Sequence, residues 1–492
     1  MNHSIVRYIL GVVLKIEGGL LLLPCIISVI YQEQVGLYYL ATGIVTFLIG
    51  FVISMKKPLQ NLFSLREGCF STALSWIVMS LVGAIPFFVA GEIPNYLDAV
   101  FETASGFTTT GASILSDVEA LSHTALFWRS FTHWIGGMGV LVFLLAVIPM
   151  SGGGSINLMR AESPGPSVGK LVPKMKDSAR ILYYIYLGMT GIEFLFLALG
   201  GMPVFDSITI TFGTAGTGGF GVLNSSCAAY TPYQQWVITI FMILFGVNFN
   251  VYFLLLFRKF KEAFSSEEVK WYFLIIGVST AAIAAQLIYH AVAAGEAIRG
   301  ALFQVASVMT TTGFATMDFN TWGTTSKVIM VLIMMIGACA GSTGGGIKVS
   351  RILLLLKSVK KEMVSFVHPK SVRKIMLDKK VVEHEVIRST NVFFVTYAMI
   401  FIISLIFISF EGRDLITSFT SVAATLGNVG PGLGDVGPTG NYAFFHPFSK
   451  IVLIFDMIAG RLELFPMLML FSPVAWKVGI LHKKKEFLAK KG

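Results

Sequence analysis

Four short stretches of threonine, glycine and other small residues interrupt an otherwise apolar chain. They are Thr108-Thr109-Thr110-Gly111, Thr217-Gly218-Gly219-Phe220, Thr310-Thr311-Thr312-Gly313-Phe314 and Asn428-Val429-Gly430-Pro431. Each follows an apolar segment too brief to span a bilayer and precedes one long enough to do so. Non-helical backbone at membrane depth is tolerated only where it is buried in protein or lines a water-filled path. Four such places, roughly 95 to 117 residues apart, point to one ion pore built from four pseudo-equivalent quarters. Helix breakers alone would not produce that fourfold register.

Each quarter needs a short helix to carry its loop. Counting back from the glycines, Asp98 and Asp206 lie thirteen residues before Gly111 and Gly219. Six residues before each glycine sit Ser105, Gly213, Ser307 and Ala424, all small, which allows close helix packing in a membrane. Starts are expected at Pro94-Asn95, Pro203, Gly300 and Gly412. Such helices point their C-terminal, negative dipole ends at the membrane centre, which favours a cation there.

The composition supports a membrane setting. The 492 residues are 55% hydrophobic and only 13% charged, against about 25% charged for an ordinary soluble domain. Ten apolar spans are predicted near 8–30, 37–55, 70–90, 126–149, 181–200, 235–257, 271–293, 327–356, 391–410 and 450–475, the segment at 327–356 being broken in its middle. The net charge of +10 is concentrated at Lys56, Lys57 and Arg66, at Arg160 to Arg180, at Arg258 to Lys270, at Lys348 to Arg388, and at Lys477 to Lys491. That distribution follows the positive-inside pattern and places both termini in the cytoplasm. The first span, with Lys15 and Glu17, reads as a retained helix rather than a signal peptide. Cys25, Cys69, Cys227 and Cys339 have no CxxC spacing and imply neither a disulfide framework nor a metal site.

At these residues the chain resembles the Trk/Ktr/HKT superfamily of potassium transporters, and most closely its bacterial Trk-type pore subunits. Besides the four loops, the likeness rests on the run Gly337-Ala338-Cys339-Ala340-Gly341-Ser342-Thr343-Gly344-Gly345-Gly346-Ile347-Lys348, on Met159-Arg160-Ala161-Glu162 and on Gly460-Arg461-Leu462-Glu463. Two helices ahead of the first quarter resemble the Trk branch. The resemblance implies an all-α polytopic fold with four helix–pore-loop–helix repeats around one central pore. The expected organisation is two leading helices over 1–65, then repeats over 66–170, 171–265, 266–385 and 386–492, the last including a cytoplasmic tail. It also implies K⁺ uptake across a bacterial inner membrane through a gated, channel-like path, as a homodimer with one pore per protomer.

A dehydrated K⁺ needs carbonyl oxygens in place of its water shell, and glycine permits the backbone that turns them inward. Gly111, Gly219, Gly313 and Gly430 are the expected filter centres. Carbonyls at Thr109 and Thr110, Thr217 and Gly218, Thr311 and Thr312, and Asn428 and Val429 are the expected ligands. Na⁺-selective members of the family often carry Ser at the first glycine, so Gly111 favours K⁺. The fourth loop departs from the rest, with Asn428 in place of Thr and Pro431 after its glycine.

The glycine-rich run (Gly337, Gly341, Ser342, Thr343, Gly344, Gly345, Gly346 and Lys348) is either a close-packed kink or, on the resemblance, an intramembrane gating loop. It lacks the strand context and the GK[ST] ending of a phosphate loop. Arg461 is an intramembrane charge, which by the family likeness faces the pore near that loop; the alternative is an ion pair with Glu463 or Glu193. Glu102, Asp98 and Asp206 raise a proton-coupling alternative, K⁺/H⁺ or K⁺/Na⁺ symport, against a role as caps or backbone braces. His133 reads as a packed helix residue. The basic stretch Lys357 to Lys380 suits anionic lipid headgroups or, on the resemblance, a cytosolic nucleotide-binding regulatory ring. The chain itself shows no nucleotide site, and no HExxH, clustered His/Asp or strand-placed GxSxG that an enzyme would need.

Overall fold

A computed structural model describes residues 3–56, 65–139, 175–369 and 373–473. The runs Met159–Glu162 and Lys477–Lys491, together with Lys57, Arg160, Lys170 and Lys370, lie outside the described residues. The chain is a helical, multi-pass membrane protein. Among the described residues, six helical spans are long and apolar enough to cross a bilayer: His3–Tyr31, Gly36–Ser54, Leu65–Val89, Arg180–Leu199, Glu267–Tyr289 and His384–Ser409. A seventh is the pair Pro232–Phe245 and Phe249–Leu256, bent by 91°.

The remaining predicted spans are shorter or divided. His123–Met138 is the described part of the fourth, whose later half lies outside the described residues. The segment expected at 327–356 is broken as predicted, into Thr324–Ile336 and Val349–Val367. The last divides into Pro447–Arg461 and Phe465–Phe471. The only strands among the described residues form a two-residue-per-strand hairpin, with Met376 opposite Val381 and Leu377 opposite Lys380.

Between the spans lie four short helices, Tyr96–Phe107, Val204–Gly216, Ala294–Met309 and Leu415–Leu426. Two start as expected: Asn95 caps the first, accepting from the N–H groups of Leu97 and Asp98, and Pro203 precedes the second. The third begins at Ala294, well ahead of Gly300. That glycine sits inside the helix because Met317 sulfur occupies the space a side chain would need. The fourth begins after Asp414 rather than Gly412, because the Asp414 carboxylate accepts from the N–H groups of Ile416 and Thr417.

The two leading helices pack through glycine. Added methyl groups on Gly11, Gly18, Gly43 or Gly50 would meet the backbone of the facing helix, so His3–Leu20 and Gly36–Ser54 lie in near backbone contact.

Candidate functional site

The C-terminal ends of the four short helices meet in the protein interior. Each ends on a residue in the left-handed region: Thr109 (φ 54°), Thr217 (55°), Thr311 (58°) and Asn428 (54°). Two residues later each chain passes a glycine of positive φ: Gly111 (80°), Gly219 (80°), Gly313 (88°) and Gly430 (94°). Asparagine visits this region readily, but β-branched threonine does so at a cost of about 1–2 kcal/mol. Three threonines held there mark backbone strain that the surroundings must support.

The support repeats from loop to loop. The N–H groups of Thr110, Gly218, Thr312 and Val429 donate to the carbonyls of Ser105, Gly213, Ser307 and Ala424, at 2.9, 2.8, 2.7 and 2.8 Å. Those acceptors are the small residues that mark the register in the sequence. The glycines then close a ring. A methyl group on Gly111 would run into the Gly218 carbonyl oxygen, on Gly219 into that of Thr312, on Gly313 into that of Val429, and on Gly430 into that of Thr110. Each quarter thus leans on the next, and the fourth returns to the first.

All twelve expected filter residues are therefore brought to one ring. Among the described residues, no group donates a hydrogen bond to the carbonyls of Thr109, Thr110, Thr217, Gly218, Thr311, Thr312, Asn428 or Val429. Buried backbone carbonyls with no hydrogen-bond donor are rare, so these eight are the chemical feature of the ring that calls for an explanation.

Side chains brace this ring from behind. His133 Nδ1 lies 2.7 Å from the Gly106 carbonyl, while the Phe220 N–H donates to Nε2 at 3.2 Å. The ring therefore carries its proton on Nδ1 and links the first short helix to the second loop. His133 is thus a brace for the filter backbone, beyond the packing role expected of it; the sequence signal was a polar ring within an apolar helix. Arg129, absent from the expected site, pairs with Glu102 at 2.5 Å, donates to the Gly221 carbonyl at 2.8 Å and lies 3.6 Å from the Phe220 ring centre. Glu102 accepts in turn from the Ser113 hydroxyl and, at 3.0 Å, from the Ile114 N–H, holding the chain just past Gly111. The Asn428 amide donates to Thr110 Oγ1 at 3.0 Å and to the Met457 carbonyl at 2.8 Å. Tyr442 donates to the Gly430 carbonyl at 2.7 Å. Asp98 is paired with Lys450 at 2.6 Å, and Asp206 accepts from the Tyr230 hydroxyl at 3.1 Å.

The run Gly337–Lys348 lies against the side of the ring where the short helices end. Its neck closes where Gly337 and Gly346 pack backbone to backbone and the Lys348 N–H donates to the Ile336 carbonyl at 2.8 Å. Lys348 has a φ of 84°, and its ammonium donates to the Gly344 carbonyl. At the tip, the Gly345 N–H donates to Thr311 Oγ1 at 2.6 Å, and methyl groups on Gly344 or Gly345 would meet the Thr310 and Gly427 carbonyls. One flank follows the bend at residues 246–248: Cys339 N–H donates to Gly246 O at 3.1 Å, Phe249 N–H to Gly341 O at 2.9 Å, and Thr343 Oγ1 to Phe245 O at 3.2 Å. The Ser342 hydroxyl folds back onto the Cys339 carbonyl at 2.6 Å.

Arg461 reaches this loop. It donates to the Thr343 carbonyl at 2.7 Å, to that of Gly137 at 2.8 Å and to that of Gly136. Glu463 takes Arg351 as its partner instead, at 2.5 Å.

Known proteins match this chain over nearly its whole length. The family described as TrkH, cation transport protein, matches residues 38–477. The Trk system potassium uptake protein TrkH of Salmonella typhimurium is 37% identical over 97% of this chain and 100% of its own length. Its Escherichia coli K12 counterpart is 36% identical over the same shares. The crystal structure of the potassium transporter TrkH from Vibrio parahaemolyticus superposes with a TM-score of 0.86 at 30% identity, covering 97% of this chain and 100% of that one.

Proposed function

From the premise that the chain belongs to the TrkH family of cation transport proteins, we propose that it takes up K⁺ through one gated, channel-like pore. Transport rather than catalysis is the activity of that family. The observation that carries the proposal is the closed ring of four left-handed turns and glycines, with eight carbonyls that accept no hydrogen bond from the described residues.

The pore is assembled from the four repeats whose boundaries the sequence suggests. A K⁺ ion exchanges its water for the carbonyls of Thr109 and Thr110, Thr217 and Gly218, Thr311 and Thr312, and Asn428 and Val429. The negative ends of the four short helices stabilise its charge below. Gly337–Lys348 is the gate. Its tip on Thr311 and its tie to Arg461 hold it across the exit from the ring, and Arg461 adds a positive charge that opposes cation passage. The alternative of symport is less well supported, since Glu102, Asp98 and Asp206 each already have a partner in Arg129, Lys450 and Tyr230.

The relatives are named as members of a Trk system. We extend that to a cytosolic partner docking on the basic stretch Lys357 to Lys380, to a homodimer and to an inner-membrane location with cytoplasmic termini. Any nucleotide sensing belongs to that partner.

The test is ⁸⁶Rb⁺ uptake into liposomes holding the purified chain and an opposing K⁺ gradient, with Gly111→Ser alongside. Uptake should be blocked by K⁺ and not by Na⁺. The substitution, which pushes on the Gly218 carbonyl, should relax this toward Na⁺. Equal competition by both ions in the unsubstituted protein would refute a K⁺ filter.

A further inference from the structure

One carboxylate outside the loop Gly337–Lys348 ties down both of its limbs. Glu268 is buried at the start of the helix Glu267–Tyr289. Its Oε1 accepts from the Ala340 N–H at 2.6 Å and from the Ser350 N–H at 3.2 Å. Ala340 follows the neck on the descending limb, and Ser350 lies just beyond Lys348 on the returning one. Hydrogen bonds to an ionised acceptor are about twice as strong as neutral ones. Losing this acceptor would also leave two buried N–H groups unpaired.

Its neighbour Glu267 faces a different structure. The Glu267 N–H donates to Asp378 Oδ1 at 2.6 Å, in the hairpin Met376–Val381. The Glu267 carboxylate pairs with Lys357, whose ammonium also donates to the Met376 carbonyl at 2.7 Å. The hairpin turns through Asp378 (φ 50°) and Lys379 (φ 62°), both left-handed, as a tight two-residue turn demands. A surface hairpin is thereby fastened one residue away from the pin that holds the loop.

We infer that Glu268 is the positioning residue that pins the gating loop across the pore, and that the hairpin Met376–Val381 sets that pin through Asp378, Glu267 and Lys357. Displacing the hairpin withdraws the start of the helix, frees the N–H groups of Ala340 and Ser350, and releases the loop. This inference rests on reading Gly337–Lys348 as the gate, so its test separates the pin from the gate.

The loop carries its own reporter, because Cys339 is buried and the chain has only three other cysteines. In the full chain with Cys25, Cys69 and Cys227 changed to Ser, reconstituted in liposomes, two quantities are followed. One is the rate at which a water-soluble methanethiosulfonate reagent modifies Cys339; the other is ⁸⁶Rb⁺ uptake. Glu268→Ala should raise both by about tenfold. Glu268→Gln keeps an acceptor oxygen without the charge and should raise both by about threefold, as should Asp378→Ala. If the alanine variant does not yield folded protein, the glutamine and Asp378 variants carry the test. Unchanged Cys339 modification in the Glu268 variants would overturn the pin. Faster modification in those variants but not in Asp378→Ala would overturn the role of the hairpin. Faster modification with unchanged uptake would support the pin and instead refute the loop as the gate.

Discussion

The four loops of the ring and the loop that packs against them are both non-helical backbone buried at the same place, yet they are held in different ways. The ring is held by the same backbone contacts four times over, with side chains such as His133 and Glu102 bracing it from behind. Each loop has the same left-handed turn and the same bond to a small residue five positions back, and its glycine rests against the next loop's carbonyl. Because the contacts form a ring, displacing one loop displaces its neighbour. The lower loop occurs once; besides backbone bonds with Ile336, Gly246 and Phe249 it hangs on single side chains from separate parts of the fold, namely Arg461, Glu268 and Thr311. Each of those bonds can be released singly. The difference suits the roles proposed for them: a selective site needs carbonyls that do not yield to a wrong-sized ion, and a gate needs contacts that do.

That contrast breaks most visibly at a filter glycine. Gly219→Ala would place a methyl group against the Thr312 carbonyl and force alanine to a φ near 80°. Strain in the left-handed region and displacement of a ligand should together lower ⁸⁶Rb⁺ uptake by at least about 100-fold. Gly188→Ala, at a glycine with open space around it, is the control and should transport normally. Near-normal uptake by Gly219→Ala would mean that the ring is not the transport path.

At the lower loop the sign should reverse. Arg461→Gln removes charged donors from the Thr343, Gly136 and Gly137 carbonyls. With one anchor gone and the positive charge removed, uptake by folded protein should rise about tenfold while K⁺ over Na⁺ preference is retained. Lost preference would show that the loop shapes the filter and is more than a gate. Unchanged uptake would assign Arg461 to packing alone.

The geometry of the four loops was largely legible in the sequence because its requirements are local. A left-handed turn needs glycine or a tolerated substitute at fixed spacing, and a closely packed short helix needs a small residue at a fixed distance before it. Both leave marks that repeat. The broken helix was legible for the same reason, since Gly337 to Gly346 cannot continue a helix at that depth. The starts of the third and fourth short helices were misplaced at Gly300 and Gly412. There glycine served helix packing against Met317 and the end of the preceding helix, while Asp414 set the fourth start. The braces were not legible. Arg129 and Glu102 are 27 positions apart, and Arg461 meets Gly136 across 325 positions. No local pattern records a partner that only the fold supplies. His133 was visible as a polar residue in an apolar helix, but its two backbone partners, Gly106 and Phe220, belong to different repeats.

The smallest expected effect lies at the far end of a short helix, where stability and selectivity should separate. Asp414 caps the fourth short helix from outside the spans, and its hydrogen bonds with Thr417 and Ile416 hold its carboxyl below the ordinary aspartate range. A carboxyl depressed in the folded state stabilises the protein above its ordinary value and stops doing so as pH falls through the lower, folded value. Asp414→Ala should therefore cost about 1 kcal/mol at pH near 6, as loss of a cap does. The difference in thermal midpoint between this variant and the unsubstituted protein should shrink as the pH approaches about 3. Asp414→Asn keeps a capping oxygen but cannot ionise, so its deficit near pH 6 should be smaller than that of the alanine variant and should likewise shrink as the pH falls. Because the filter is fixed by its own ring of backbone contacts, neither substitution should alter the preference for K⁺ over Na⁺ near neutral pH. A change in that preference would mean that the ring borrows its geometry from the outer ends of the short helices, and that the backbone contacts of the four loops are insufficient alone.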